Sequence, residues 1–230
     1  MTGKTWVLLP GLDGSGLLFE EFVRYRPQAD VGIVRYPLDP SWRLDDYVDH
    51  VEATIAAVSP CVVVAESFSG PIALRLQRRN RRVAGVVLAA SFVERPNPLL
   101  GLVPLESIGA RWQHALTSMA LVRLMCLDFH ASAGLASAVQ RVVRALPIEV
   151  VRSRLRLLRD LDERATLESL DVPWLALVPR SDRLVPFSAF PAGGLGEVAS
   201  IDGPHFLLQA RPEACWRSIE AWSAARLSGI

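Results

Sequence analysis

The stretch VVVAESFSGPIAL, residues 62–74, decides the fold. Three valines and an alanine run into Glu66-Ser67, small Ser69 and Gly70 follow after Phe68, and Pro71 opens an amphipathic pattern. An apolar run that stops at small residues and passes into a helix reads as a buried strand, a tight turn and a helix. Ser67 stands at the apex of that turn. A serine presented in this way sits on strained backbone, and bulk two residues to either side would strike the adjoining strand or helix. Ala65 and Ser69 occupy the places where glycines are usual, and both are small. The plainer alternative is a strand-to-helix turn in which Ser67 only caps the helix.

Outward from this segment, β-branched or leucine-rich runs alternate with helix-length segments, the pattern of βαβ units around a mostly parallel sheet. Six strands are predicted: Trp6–Leu9, Val31–Arg35, Cys61–Ala65, Val83–Ala90, Trp174–Val178 and Glu197–Ile201. Helices are predicted over Leu17–Tyr25, Leu44–Val58 and Ser69–Asn80. The alternation stops after Ser91. Residues 92–170 read as helical throughout, with Pro96, Pro98 and Pro104 marking the exit from the sheet. So long an excursion between strands implies a unit with its own structure and task. The expected organisation is a core of residues 1–91 and 171–230 with a helical cap, 92–170, inserted into it.

Composition narrows the function. With 25 Lys and Arg against 24 Asp and Glu in 230 residues, the net charge is +1, so there is no basic field for nucleic acid or anionic lipid. Lys4 is the only lysine, which leaves the interior without Schiff-base or P-loop lysine chemistry. Cys61, Cys126 and Cys215 are odd in number and far apart. They suggest neither a disulfide framework nor a zinc site, and a reducing compartment, the cytoplasm, is expected. The apolar run at the N-terminus is too short for a signal peptide. The apolar tract from Ala115 to Phe129 contains Arg123 and is too short to span a bilayer, so a buried helix is expected there.

Three further loops fall at predicted strand ends. LPGLDGSG, residues 9–16, follows the first strand, and its glycines free backbone amides to turn inward. Its alternative reading, a phosphate loop, has the wrong spacing for the dinucleotide fingerprint, and no acidic residue ends the next strand. SDRLVP, residues 181–186, puts Asp182 after the fifth strand; DGPH, residues 202–205, puts His205 after the sixth. Ser67, Asp182 and His205 thus occur in the order serine, acid, histidine, each where a nucleophile, an orienting carboxylate and a proton-transferring imidazole belong. Leu12 and Phe68 are the expected sources of the two oxyanion-binding N–H groups. Asp202 and Glu94 are alternative acids. His50 is expected on a solvated helix face, and His114 and His130 in the packing of the insertion.

The motifs PGLDGSG, AESFSG, SDRLVP and DGPH together resemble the α/β-hydrolase family over essentially the whole chain. That resemblance implies a serine hydrolase with a helical cap and no cofactor or metal. Pro10-Gly11 stands where the family commonly has His-Gly, and the usual leading hairpin is missing. Within the family the chain is similar to capped esterases that cleave pimeloyl-carrier-protein methyl esters. Leu146-Pro147, Arg152, Leu155, Leu158, Leu161-Asp162, Leu170 and Val172-Pro-Trp-Leu carry this likeness.

The expected activity is carboxylic-ester hydrolysis through an acyl-enzyme, on small to medium acyl esters held in an apolar pocket. Leu99, Leu100, Leu102, Val103, Leu105 and the Met119–Leu127 run are expected to line it. Two alternatives stay open: a carrier-protein-linked ester or thioester as substrate, and a non-hydrolytic acyltransferase, lyase or binding scaffold of the same fold. The carrier reading rests on Arg141 and Arg144 and on the helical spacing of Arg152, Arg156 and Arg159, which would make one face basic.

Overall fold

The computed structural model describes residues 4–58, 60–102, 104–107, 109, 115, 117–128, 131–185, 190–191 and 194–228. His114, His130, Val103 and Pro186 lie outside the described residues. The strands are β1 (Thr5–Leu9), β2 (Asp30–Ile33), β3 (Cys61–Glu66), β4 (Val83–Ala89), β5 (Trp174–Pro179) and β6 (Gly196–Ile201). They form one sheet in the order β2-β1-β3-β4-β5-β6, every pair parallel. The expected α/β fold with a sheet of six strands is the observed one.

Three helices connect the first four strands: α1 (Glu20–Arg24), α2 (Leu44–Thr54) and α3 (Gly70–Arg79). Between β4 and β5 lie α4 (Met119–Leu121), which runs on as a π turn over Val122–Cys126, α5 (Ala133–Arg144), α6 (Ile148–Arg159) and α7 (Arg164–Glu168). After β6 come α8 (Leu207–Ala210) and α9 (Pro212–Arg226). Successive strand residues point to opposite faces, so Val63 and Ala65 join the core beneath α2 and α3, whereas Val62 and Val64 join the one beneath α1 and α9. Covering both faces is what a parallel sheet of unbroken apolar strands requires. Trp216 anchors the second face. Its indole stacks on Phe22 at 4.6 Å, meets Trp6 edge-on at 5.5 Å, and donates its N–H to the Phe22 carbonyl at 2.7 Å.

Some boundaries differ from the sequence reading. Helix α2 stops at Thr54, short of Val58, with Ile55 leaving the helical conformation as its cap. Beyond β2 the chain leaves the ladder but keeps to β1 and its loop: Val34 N–H reaches the Leu8 carbonyl at 3.0 Å and Tyr36 N–H the Gly14 carbonyl at 2.8 Å. The segment after β4 is not helical throughout. Residues 92–97 contain no helix, and Glu94 pairs with Asp162 in an isolated antiparallel bridge. Leu158, Leu161, Leu167 and Leu170 pack into the α2–α3 side of the sheet core, while Val122, Leu127, Ala136, Val139 and Val142 form a separate cluster that also takes in Leu18.

The topology determines where a cleft must form. The chain leaves β1 toward β2 on one side and returns to β3 on the other, so the connections diverge above the carboxyl ends of β1 and β3. Leu9 and Ala65 are partners in that ladder. The loops carrying Leu12 and Ser67 therefore rise side by side.

Candidate active site

Ser67 has φ of +48°, a left-handed conformation that costs a non-glycine residue free energy unless its surroundings hold it. Here they do. The Ser67 carbonyl accepts a 2.7 Å hydrogen bond from Ser91 Oγ, and Gly70 lets the helix come close, since a Cβ there would stand 3.0 Å from Ser91 Cβ and closer still to its hydroxyl. Ser69 does more than stay small. Its hydroxyl donates to the Pro10 carbonyl and, its own proton thus committed, accepts from Tyr36 Oη at 2.7 Å. The turn after β3 is in this way tied to the loop after β1.

Ser67 Oγ lies 3.0 Å from His205 Nε2, and His205 Nδ1 lies 2.7 Å from Asp182 Oδ2. The other carboxylate oxygen, Oδ1, accepts the Leu184 and Val185 N–H groups at 2.9 and 2.8 Å. Burial pushes the Asp182 carboxyl upward, but the His205 hydrogen bond, its charge and the two backbone donors prevail and hold it below the ordinary carboxylate value. Asp182 thus stays ionised beside the imidazole. Its two oxygens are both occupied, one orienting the ring and the other fixing the loop.

The alternative acids lie elsewhere. Glu94 is exposed, 3.8 Å from Arg164, and Asp202 is exposed. His50 sends Nε2 to the Arg35 carbonyl at 2.8 Å and packs against Tyr36 and Trp42. It is half-buried among aromatic rings and not on the solvated face expected of it.

Phe68 is fully buried at the start of the helical turn, and Leu12 occupies a turn closed by the Gly14 N–H to Gly11 carbonyl hydrogen bond at 3.0 Å. Between the two loops lie two carboxyls that sequence reasoning did not single out. Glu66 and Asp13 are both buried. Burial pushes Glu66 up to about 7, with Asp13 adding to the effect and Gln209, His205 and the Gly11 N–H opposing it. Asp13 is likewise raised by burial, against the pull of Ser15 and of Arg154. A glutamate closing an otherwise apolar strand was the available signal for the first.

Above these residues is a cavity of about 390 Å³. Gly11, Leu12, Asp13, Glu66, Ser67 and His205 make its floor, and the rest of its wall is largely apolar. Leu99, Leu100 and Cys126 line it as expected, but so do Val143, Leu146, Leu155 and Leu158 from farther along the insertion. Leu102 is 81% exposed, and Leu105 is buried away from the cavity. On α6, Arg156 is held by Glu106 through two 2.8 Å hydrogen bonds. Among the described residues no cluster of His, Cys, Asp and Glu could hold a metal ion, and no helix is long and apolar enough to cross a membrane.

No family model and no curated protein matches this sequence. Solved structures do. The enol-lactonase from Burkholderia xenovorans LB400 superposes with a TM-score of 0.81 at 16% identity, covering 97% of this chain and 92% of its own. A bromoperoxidase from Bacillus anthracis gives 0.78 at 17% identity, over 96% and 92% of the two chains. A thermophilic esterase from Thermogutta terrifontis, with malate bound, gives 0.77 at 15% identity, over 97% and 90%. Agreement over whole chains at so low an identity is agreement of fold: the chain has the α/β-hydrolase fold.

Proposed function

We propose that this protein is a serine ester hydrolase that works through an acyl-enzyme on small to medium acyl esters. The observation that carries the reading is the unbroken line from Ser67 Oγ through His205 to Asp182, at 3.0 and 2.7 Å, opening into an apolar cavity. In this reading residues 1–91 and 171–230 are the catalytic core and residues 92–170 the cap that roofs it. A reducing cytoplasm suits its three free thiols.

The chemistry follows from the contacts. Ser67 Oγ attacks the ester carbonyl carbon while its proton passes to His205 Nε2. The carbonyl oxygen becomes an oxyanion, held by the N–H groups of Phe68 and Leu12. Asp182, ionised, stabilises the imidazolium and keeps its ring aligned. Collapse of the intermediate breaks the bond to the alcohol, which leaves with the proton from His205. Water then repeats the sequence on the acyl-serine, His205 taking one of its protons and returning it to Ser67, and the free acid departs. The apolar wall accommodates the acyl chain, whose burial supplies binding energy in proportion to its area.

A fluorophosphonate should label the protein at one residue, Ser67, and Ser67→Ala should abolish both labelling and turnover of p-nitrophenyl esters. Survival of both in Ser67→Ala overturns the reading. Running the ester series with and without an added alcohol separates hydrolysis from acyl transfer, because water and alcohol compete for the same acyl-serine. Product ester in excess of acid would make the protein an acyltransferase.

A further inference from the structure

Helix α6 carries an arginine that reaches the floor of the cavity from behind. Arg154 is fully buried. Its Nη1 donates to the Leu12 carbonyl at 2.7 Å, its Nη2 to the Pro37 carbonyl at 3.1 Å, and its Nε to Tyr47 Oη at 3.0 Å. Its guanidinium carbon lies 5.9 Å from the centre of the Phe68 ring, 5.6 Å from that of Tyr47 and 6.0 Å from that of Tyr36, within cation–π range of all three. Its charge also acts on Asp13.

These partners have a pattern. Leu12 and Phe68 are the two residues whose N–H groups would bind the oxyanion, and one guanidinium touches both, the first through its carbonyl and the second through its ring. Leu12 is the second residue of the turn from Gly11 to Gly14. The peptide joining Leu12 to Asp13 is therefore the central one, whose rotation interconverts turn types. A donor on the Leu12 carbonyl blocks that rotation and fixes ψ of Leu12, so the Cα that carries the Leu12 N–H, on the peptide just before, is anchored in place. Gly14, with φ of +70°, leaves the room: a Cβ there would lie 2.6 Å from Arg154 Nη1. Helix α6 is itself tied down one residue earlier, Ser153 Oγ donating to the Pro40 carbonyl at 2.6 Å. The same helix lines the cavity with Leu155 and Leu158.

We propose that Arg154 is a positioning residue that holds the oxyanion-binding N–H groups of Leu12 and Phe68 in alignment and makes that alignment depend on the seating of α6. The inference rests on the serine-hydrolase reading of Ser67. Through it, the segment that shapes the acyl pocket also sets the competence of the chemistry beneath.

The test compares wild type, Arg154→Met and Arg154→Lys for kcat and KM on p-nitrophenyl butyrate, and for the affinity of a butyl trifluoromethyl ketone, whose adduct with a serine carries the oxyanion. Loss of one oxyanion donor costs about 10²–10³ in kcat. Arg154→Met should lose about 10²-fold in kcat and about as much in ketone affinity, with KM within about threefold. Arg154→Lys, which keeps the charge but cannot span the three oxygens, should fall between. An undiminished kcat in Arg154→Met, or a lowered kcat with unchanged ketone affinity, overturns the proposal. If circular dichroism shows Arg154→Met unfolded, Arg154→Lys alone decides, and wild-type kcat together with wild-type ketone affinity in that variant refutes it. Fluorophosphonate labelling of wild type keeps the two failures apart. Labelled wild type with indifferent arginine variants sinks this inference alone, whereas unlabelled wild type sinks the hydrolase reading and this one with it.

Discussion

The floor of the cavity and its wall are built by different rules. On the floor each functional group hangs from backbone that the parallel ladder has already located. Ser67 follows β3, Asp182 follows β5, His205 follows β6, and further hydrogen bonds to the Ser67 carbonyl and the Asp182 carboxylate remove the remaining freedom. The wall is made largely of leucine and valine side chains from the insertion, whose faces toward the cavity are set by packing, and the same segment leaves Leu99 63% and Leu124 47% exposed. Directional bonds fix distances to tenths of an ångström, whereas apolar contact accepts any shape of about the right volume. The floor should therefore tolerate no change and the wall many.

The sharpest test of that contrast is Asp182→Asn. It preserves volume but offers His205 the wrong tautomer, and about 10⁴ of kcat should vanish with the fold intact, as read from p-nitrophenyl ester kinetics and circular dichroism. Glu94→Gln should cost almost nothing. The reverse result would move the acid to the end of β4.

Glu66 tests the floor through stability. Its folded-state value, about 7, lies above the ordinary 4.5. A carboxyl raised in this way favours the folded state below the unfolded value and loses that contribution as pH climbs through the folded one. Wild-type stability should thus decline as pH rises from about 4.5 to about 7, by an amount on the order of 3 kcal/mol, with a parallel fall in melting temperature. Asp13 shifts in the same sense. Glu66→Gln should flatten most of the slope in scanning calorimetry, and an unaltered slope would show that the carboxyl does not carry it.

On the wall, Leu155→Gln should leave acetyl-ester turnover nearly unchanged while lowering the preference for octanoyl over acetyl esters about tenfold. A chain-length profile identical to wild type would mean that Leu155 does not meet the acyl chain. Smallest of all, Arg152→Glu/Arg156→Glu on the outer side of α6 should change turnover of free esters by less than about twofold. Salt-dependent, selective loss on a carrier-linked ester would instead reveal docking of an acidic carrier.

What could be read from the sequence follows the same division. The strands were legible because valine-rich runs broken by Gly, Pro and Asp have few other solutions, and Ser67, Asp182 and His205 because each sits just past such a run. Arg154 was not. Arg152, Arg156 and Arg159 share one helical spacing, and Arg154, two residues from Arg152 and from Arg156, points to the other side of the helix. There it stands in an i, i+4, i+8 row with Val150 and Leu158, both buried, and a lone arginine in an apolar row was the signal. The wall residues were misread in part because a leucine facing a cavity and a leucine facing a core obey the same periodicity. Only the meeting of distant helices distinguishes Leu146 from Leu105.

The π turn between α4 and α5 has a consequence for traffic. Its Leu124 carbonyl accepts from Arg183 at 2.8 Å, its Cys126 carbonyl from the Phe206 N–H at 3.2 Å, and just beyond it Asp128 meets Arg211 at 2.5 Å. Arg183 adjoins Asp182 and Phe206 adjoins His205, so this part of the insertion is fastened along the side where those two residues leave the sheet. Asn97, Leu99 and Leu100, which also line the cavity, take no part in these three contacts. In the proposed hydrolase reading, substitution of those three residues is expected to change the rates of substrate arrival and product departure before the bond-making step.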